Sequence, residues 1–417
     1  MNTNGKVKSV LDQKNEYKNT VFGFIPKDWE IVKLKDISIR KGTYGIGAAA
    51  VEYNENLPRY LRITDIDDQG RIINEDPKCV DDPDSVNYIL KKNDLVFART
   101  GNTTGKTYLY KNEDGVLVYA GFLIKFSINP IKADSRFVKY FTETNYYWQW
   151  VGIMSMRSGQ PGINENEYSK LTLPLPPLPE QQKISSILST WDKAIELKEK
   201  LIEQKKEQKK GLMQKLLTGE VRLPGFEGEW KEVRLGSILK ERKETGFEQL
   251  ELLAITSQKG VVRRTEVDIK DNSSEDKSKY KRILPNDIGY NTMRMWQGVS
   301  GVSEYEGIVS PAYTILKPTD KVYSYFMGYL FKLPTVVNLF KRYSQGLVSD
   351  TLNLKYENLK VIKVFIPTDI NEQKSIAELF LCIDKEINIL QKEVDSFKQQ
   401  KKGLMQLLLT GKVRVQV

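Results

Sequence analysis

The chain of 417 residues is too long for one hydrophobic core of ordinary size and fits two or three domains. Its 64 Lys and Arg residues outnumber 54 Asp and Glu, and the resulting formal net charge of +10 favours a polyanionic partner. Histidine is absent, which excludes His-based catalytic triads and His-based metal sites. The only cysteines, Cys79 and Cys382, are too few for a disulfide framework or a four-Cys zinc site.

The N-terminus is polar, and no run of about 18 apolar residues occurs along the chain. We therefore expect a cytoplasmic protein that begins with a polar, loosely ordered lead-in over residues 1–20.

A sequence motif occurs twice. The stretch 209–219, with Gly211-Leu212-Met213-Gln214 near its start, returns 192 residues later over 401–411. Trp29 likewise has an equivalent in the second half, Trp230, which lies 201 residues later. Two copies at such a spacing indicate a duplication rather than a short-period repeat array. The difference between the two offsets places most of the length change around residues 42–47.

Each half is predicted to form an α+β domain with a mainly antiparallel sheet, because short β-rich runs alternate with turn residues. We predict strands over 60–66, 95–99 and 116–128 in the first half, and over 250–256, 288–293 and 308–316 in the second. Helical segments are predicted over 137–150 and 323–340, and both Trp residues are expected to be buried anchors.

A long amphipathic helix is predicted at the end of each half, because apolar residues recur at a spacing of three and four and proline is absent. Two such helices can cover each other's apolar stripe by pairing within one chain, antiparallel, if a pseudo-twofold axis relates the halves. Parallel pairing between two chains is the alternative. The predicted helix seam consists of Ile184, Leu188, Trp191, Ile195, Ile202, Leu212, Leu216, Ile376, Phe380, Ile383, Ile387, Leu390, Val394, Phe397, Leu404 and Leu408.

The expected fold is therefore two pseudo-twofold-related globular α+β domains joined by two long antiparallel coiled-coil helices. The predicted division after the lead-in is a first domain over 21–178, a first helix over 179–219, a second domain over 220–368, a second helix over 369–411 and a tail over 412–417.

The loop that follows the strand 95–99 carries Arg99, several Thr residues, Asn102 and Lys106. It is not a nucleotide-binding P-loop, because Thr100 stands where that motif needs glycine and aromatic residues follow Lys106 in place of a helix. Arg can instead fork onto guanine while the other side chains contact phosphates or base edges. A counterpart loop over 291–301 contains Arg294, so Arg99 and Arg294 are the leading base-reading candidates.

Metal binding is not predicted, because the acidic pairs of the chain lie in turns where no third ligand is set by spacing. The predicted DNA-binding residues are Tyr44, Arg62, Thr64, Arg99, Thr100, Asn102, Thr103, Lys106, Arg157, Gln160, Lys259, Arg263, Asn291, Arg294, Trp296, Gln297, Arg342 and Gln345.

These motifs together resemble those of the DNA-specificity subunit of type I restriction-modification enzymes, over essentially the whole chain. The resemblance is carried by Gly-Phe-Ile-Pro-x-x-Trp at 23–29, Arg-Thr-Gly-x-x-x-Gly-Lys at 99–106, Leu-Pro-Leu-Pro-Pro-Leu-x-Glu-Gln at 173–181 and Leu-Met-x-x-Leu-Leu-Thr-Gly at 212–219. The second half departs from the pattern, since it lacks the Arg-Thr-Gly loop and the proline run.

The resemblance implies a non-catalytic subunit with two target-recognition domains, each reading one half of a bipartite sequence in double-stranded DNA. It implies that the helices space these domains and dock two modification (methyltransferase) subunits, which restriction (translocase and nuclease) subunits join. S-adenosylmethionine, ATP and Mg would then be bound by partner subunits and no cofactor by this chain. A coiled-coil assembly scaffold with basic protein-binding domains is the alternative, and a nucleotide-dependent enzyme using the 101–107 loop is a third interpretation.

Overall fold

The computed structural model describes residues 16–257, 259–267, 275–348 and 351–417. The chain divides into two compact units: unit 1 comprises Met1–Leu197 with Glu393–Val417, and unit 2 comprises Lys198–Lys392. Most of the predicted lead-in, residues 1–15, lies outside the described residues. Residues 17–20 of it form a strand, so ordered structure begins earlier than predicted.

The strands described in unit 1 are β1 (Tyr17–Thr20), β2 (Gly23–Pro26), β3 (Glu30–Lys33), β4 (Thr43–Tyr44), β5 (Ala50–Glu52), β6 (Arg59–Leu61), β7 (Lys78–Val80), β8 (Asp94–Ala98), β9 (Thr107–Leu109), β10 (Leu117–Tyr119), β11 (Leu123–Ser127) and β12 (Thr172–Leu175). From residue 16 onwards they form two four-stranded sheets and two ribbons. The first sheet has the order β4-β11-β8-β9 and is antiparallel throughout. The second has the order β10-β6-β7-β5, and its β10–β6 pair is parallel. The ribbons are β1–β2 and β3–β12.

The strands described in unit 2 are β13 (Trp230–Arg234), β14 (Leu239–Arg242), β15 (Leu253–Thr256), β16 (Gly260–Arg263), β17 (Lys281–Ile283), β18 (Ile288–Asn291), β19 (Ser300–Val302), β20 (Gly307–Val309), β21 (Tyr313–Pro318) and β22 (Lys363–Pro367). These described strands form one four-stranded antiparallel sheet, of order β14-β21-β18-β19, and three antiparallel ribbons: β13–β22, β15–β16 and β17–β20. Together with the sheets of unit 1, this confirms the predicted α+β class.

Five predicted strands are shorter or broken. Two of them lose residues at one end only, since 250–256 is reduced to Leu253–Thr256 and 288–293 to Ile288–Asn291. The other three change more. The predicted strand 116–128 is two strands, because the chain turns between them and Leu123 N–H donates to the Ala120 carbonyl. The predicted strand 308–316 is also two, because Pro311 has no N–H for a sheet and the chain turns there. The predicted strand 60–66 ends at Leu61, since the Asp65 carboxylate accepts from Arg62 N–H and starts a 3-10 turn.

The shorter helices are α1 (Ser135–Phe141), α2 (Asn145–Met154) and α3 (Glu165–Ser169) in unit 1, and α5 (Leu235–Ile238), α6 (Ser324–Leu330), α7 (Pro334–Tyr343) and α8 (Tyr356–Leu359) in unit 2. The predicted helix 137–150 is divided into α1 and α2, because Thr144 caps the second helix through its hydroxyl. The predicted helix 323–340 is divided into α6 and α7 by Pro334, which occupies the first turn of α7.

The two long helices are α4 (Leu178–Leu216) and α9 (Ile370–Leu408), each of 39 residues and therefore about 58 Å long at 1.5 Å per residue. Both units contain part of each helix. In unit 1 the Trp191 ring packs edge-on against the Phe397 ring at 5.5 Å. In unit 2 the Lys205 ammonium pairs with Glu386 at 2.9 Å. None of the predicted seam residues is exposed.

The order of these contacts makes the helices antiparallel within each unit. In unit 2, Lys205 of α4 pairs with Glu386 of α9, and Lys209, further along α4, pairs with Asp384, which is earlier in α9. The residue numbers therefore run in opposite directions along the two helices. Unit 1 shows the same order, because Lys401 of α9 pairs with Asp192 of α4, while Arg414, beyond the end of α9, pairs with Glu180 near the start of α4. The prediction of antiparallel pairing within one chain is confirmed.

Equivalent residues of the two sequence copies exchange partners. In unit 1, Asp192 of the first copy pairs with Lys401 of the second at 2.7 Å, and in unit 2 Asp384 of the second copy pairs with Lys209 of the first at 2.6 Å. Each member lies 192 residues from its counterpart. Reciprocal contacts of this kind are those of a self-complementary interface. Within the described ranges, no helix combines the length and the apolar character that a membrane crossing requires.

Candidate DNA interface

Arg99 lies directly after β8, and its guanidinium lies near two aromatic rings. Its guanidinium carbon is 5.0 Å from the centroid of the Tyr44 ring and 6.0 Å from that of Phe122. Its Nε is buried and has no hydrogen-bond partner among the described residues. The backbone is fixed as well, because Arg99 N–H donates to Phe122 and the Arg99 carbonyl accepts from Ile163 N–H. The side chain is therefore oriented without a carboxylate.

The loop that follows Arg99 uses most of its hydroxyls internally. Thr103 donates to the Thr100 carbonyl and Thr104 to the Gly101 carbonyl, which closes a 3-10 turn over Gly101–Thr103. Gly105, at φ +94°, allows a backbone conformation that other residues rarely adopt. Strand β9 follows the loop where a P-loop would have a helix. Asn102 is exposed at the tip, and its side chain makes no hydrogen bond to any described residue.

A second segment packs against this loop. Thr100 forms an isolated β-bridge with Gly162, and Gly101 N–H donates to the Pro161 carbonyl. The structure thus brings the predicted residues Thr100, Asn102 and Gln160 to one surface next to Arg99.

The other predicted cations of unit 1 are neutralised by carboxylates. Arg62 forms a forked ion pair with Asp65, which raises the pKa of Arg62 above its usual value. The neighbouring predicted residue Thr64 donates to the same carboxylate.

Lys106 and Arg157 are also paired. The Lys106 ammonium lies 2.7 Å from an Asp68 carboxylate oxygen and donates to the Ile66 carbonyl. Arg157 contacts Glu167 at 2.6 Å. Among the four predicted cations of unit 1, Arg99 is the one without an ion pair to any described residue, so an anion can reach its guanidinium without displacing a carboxylate.

The counterpart loop of unit 2 is built differently. Asn291 accepts Met293 N–H through its side chain, and the Trp296 indole donates to the Met293 carbonyl. Both predicted residues therefore hold the loop in shape. Arg294 and Gln297 are exposed, and neither side chain is hydrogen bonded within the described part of the chain.

The structural equivalent of Arg99 is Thr292 and not Arg294. The Thr292 carbonyl accepts the N–H of Leu354, just as the Arg99 carbonyl accepts the N–H of Ile163. The Thr292 hydroxyl donates to the Ala312 carbonyl. Arg99 and Arg294 were predicted to correspond because both follow a strand. In the structure, Arg294 lies two residues after Thr292, further along the loop.

The remaining predicted residues of unit 2 are in two places. Arg263, at the end of β16, lies 3.5 Å from Glu251 and 5.0 Å from the centre of the Tyr305 ring, and Lys259 is in the hairpin that precedes it. Arg342 is exposed at the end of α7, and Gln345 forms a β-bridge with Asn353.

Two residues that sequence reasoning missed support these loops. Phe122 lacks any motif, and only the structure brings it to Arg99. Lys332 donates to the carbonyls of Gly298 at 2.6 Å and Ser300 at 2.8 Å and so ties down the far end of the unit 2 loop. Burial, with Lys209 nearby, lowers the pKa of Lys332 to about 8. Lys332 lies in an aromatic segment predicted to be helical, and nothing in that sequence pattern indicates a contact with the loop of unit 2.

One acidic pair in a turn, Asp65 and Asp67, is engaged in ion pairs. Asp65 is taken by Arg62, and Asp67 pairs with Arg71 at 3.0 Å. Among the described residues there is no group of three Cys, Asp or Glu side chains that could hold a metal ion.

The sequence profile of the type I restriction modification DNA specificity domain matches residues 26–206. A protein of Methanocaldococcus jannaschii named as the type I restriction enzyme MjaX specificity subunit is 27% identical, and the match covers 97% of this chain and 98% of that protein. The MjaVIII specificity subunit of the same organism is 26% identical, with 94% of each chain covered.

Solved structures have the same fold. The S subunit of a type I restriction-modification system from M. genitalium matches with a TM-score of 0.59 at 15% identity, over 91% of this chain and 96% of that one. A chain from a structure describing complex assembly and conformational transition of a type I system has a TM-score of 0.52 at 16% identity, over 93% and 99%. The chain is thus similar over residues 26–206 to the type I DNA specificity domain, and over nearly its whole length to proteins named as specificity subunits of type I restriction enzymes.

Proposed function

We propose that this chain is the non-catalytic DNA-reading subunit of a type I restriction-modification complex and that each unit reads one half of a bipartite target. The observation that carries this proposal is Arg99, a guanidinium without a carboxylate partner in the described chain, at the tip of a strand and beside exposed Asn102. Such a group is suited to the edge of guanine in the major groove.

The two loops support a target whose halves differ. Unit 1 presents Arg99 and Asn102, whereas unit 2 presents Arg294 and Gln297 from a loop stiffened by Trp296. Because Arg, Asn and Gln recognise different base edges according to their position, dissimilar loops favour dissimilar half-sites. The net charge of +10 on the whole chain favours a general attraction to phosphates.

The proposed partners rest on the similarity to specificity subunits of type I restriction enzymes. We propose that α4 and α9 dock two modification subunits and that restriction subunits join these. S-adenosylmethionine, ATP and Mg would be bound by those partners, and this chain would contribute recognition without a cofactor of its own.

The test is selection of duplexes from a randomised library by the full chain assembled with its modification subunits. We expect two short blocks of enriched bases separated by a gap of constant length, and an affinity that falls steeply as salt rises. A single block would contradict the two-reader proposal. No enrichment, with protein binding insensitive to salt, would instead favour the assembly scaffold.

A further inference from the structure

We propose that Tyr44 and Phe122 are positioning residues that hold Arg99 end-on, so that its two terminal nitrogens read a guanine in the half-site of unit 1. This inference rests on the proposed function and adds to it the base, the edge of the guanidinium and two residues that set its direction.

The first step is the state of the Arg99 side chain. A guanidinium can bind side-on, through Nε and one terminal nitrogen, or end-on, through both terminal nitrogens. In this chain Nε is buried and has no described partner. The side-on edge is therefore closed to DNA, and the terminal edge remains. Two parallel N–H groups match O6 and N7 of guanine, which are both acceptors in the major groove.

The second step is what keeps the side chain in place. A cation over an aromatic face is attracted by the ring, and the attraction grows when water is excluded. The guanidinium carbon lies 5.0 Å from the Tyr44 centroid and 6.0 Å from the Phe122 centroid. These rings restrict the long side chain while leaving its charge unpaired.

The third step is that both rings are attached to the sheet. Tyr44 pairs with Ile124 in the β4–β11 register, and its hydroxyl oxygen accepts Glu165 N–H at 3.1 Å. Phe122 immediately precedes β11 and accepts Arg99 N–H at its carbonyl. The Phe122 side chain is 55% exposed, so substitution there removes a ring without opening the core.

Unit 2 offers an internal comparison. In unit 2, Thr292 directly follows β18 and lies opposite Ala312, which directly precedes β21. The corresponding pair in unit 1 is Arg99, which follows β8, and Phe122, which precedes β11. Neither the cation nor the exposed ring has an equivalent at this position. The arrangement of Arg99 with Tyr44 and Phe122 therefore occurs in unit 1, and the guanine that Arg99 reads lies in one half-site.

The test uses the full chain and its selected target, with each guanine of the unit 1 half-site replaced in turn by 7-deazaguanine, which lacks the N7 acceptor. At one position the wild-type chain should bind about tenfold more weakly or worse. Hypoxanthine at that position keeps O6 and N7 and should be bound as well as guanine. Arg99→Ala should abolish the difference between guanine and 7-deazaguanine.

Tyr44→Leu and Phe122→Ala should each reduce that difference, and in the Arg99→Ala background neither should have a further effect, because both act through Arg99. Tyr44→Phe keeps the ring and should keep most of the discrimination. Matching thermal unfolding would exclude a general loss of structure. If Arg99→Ala abolishes discrimination while the ring variants retain it, or if their effects simply add, this inference is overturned and the proposed function stands. If the chain selects no DNA, the proposed function fails first.

Discussion

Arg414 forms a forked ion pair with Glu180, which lies 234 residues earlier: its Nε and Nη2 are 2.7 and 2.8 Å from the two carboxylate oxygens. Glu180 is 2% exposed and also accepts the Trp29 indole N–H at 3.2 Å. In unit 2, Glu372 accepts hydrogen bonds from Arg222 and from the Trp230 indole N–H in the same way. The last residues of the chain therefore complete unit 1, as the residues after α4 complete unit 2.

Arg414→Ala should destabilise unit 1 by about 3 kcal/mol, because it leaves a buried carboxylate without its cation. Hydrogen exchange followed by peptide mass spectrometry should show faster exchange in β8 and β11 and little change in unit 2. Arg222→Ala is the matched variant and should do the reverse. Glu180→Gln added to Arg414→Ala should recover part of the loss, and an equal effect on both units would contradict this division.

The glycines that end the repeated motif should be more sensitive than those within it. Gly411 has φ +69°, and an added Cβ would overlap the Pro26 ring, so Gly411→Ala should cost at least about 1 kcal/mol of unfolding free energy. Gly219, at φ +74°, has more room beside Trp230 and should cost less. Gly403 lies inside α9 with nothing near its Cβ position, so Gly403→Ala should stabilise the chain by roughly 0.5–1 kcal/mol. Denaturant unfolding of the three variants measures this order.

Glu143 should make unit 1 sensitive to acid. Burial acts to raise its pKa, but Lys139 and Lys401 outweigh burial, and the pKa of Glu143 lies below its usual value. A carboxyl group with a lowered folded-state pKa stabilises the fold above its unfolded pKa and loses that contribution as pH falls through the folded pKa. Unfolding free energies measured from pH 7 down to pH 3 should fall less steeply for Glu143→Gln. Parallel curves for the two proteins would refute the assignment.

Lys332 should make stability rise with pH as well, but in the alkaline range. Its pKa of about 8 in the folded chain is below the value of about 10.4 of an unfolded lysine. Between these values the unfolded state binds a proton that the folded state has released, so unfolding free energy contributed by this group rises with pH. Lys332→Met should remove that rise between pH 8 and pH 10. A wild-type slope unchanged in the variant would show that the group is not desolvated.

The predicted DNA-binding cations should differ in their contribution to DNA affinity, according to whether a carboxylate already pairs with them. Arg99→Ala should weaken binding to the selected target by about 1–3 kcal/mol, because a bidentate base contact is lost. Arg157→Ala should have a much smaller effect, because Glu167 already occupies that guanidinium at 2.6 Å. Titrations with target and unrelated duplexes at several salt concentrations distinguish the two. Equal weakening on every duplex, with a shallower salt dependence, would mark Arg99 as a phosphate contact.

Several structural features were accessible from the sequence because their signals are local or repeated. The 3-4 spacing of apolar residues predicted α4 and α9, and the return of the Leu-Met-x-x-Leu-Leu-Thr-Gly motif predicted two copies. Shorter elements were less accessible. Pro311 and Pro334 ended elements that hydrophobicity alone would continue, since a proline has no N–H to donate.

The sequence by itself thus determined that the protein is a duplicated α+β chain with two amphipathic helices and a surplus of positive charge. Only the tertiary structure decided which predicted cation of unit 1 has no ion pair among the described residues, because ion pairing depends on neighbours distant in the chain. Glu167 pairs with Arg157 and Asp68 pairs with Lys106, whereas the Arg99 guanidinium lies near two aromatic rings. It also decided that the C-terminal repeat belongs to unit 1. Buried Glu180 needs a cation, and the fold supplies it from residue 414.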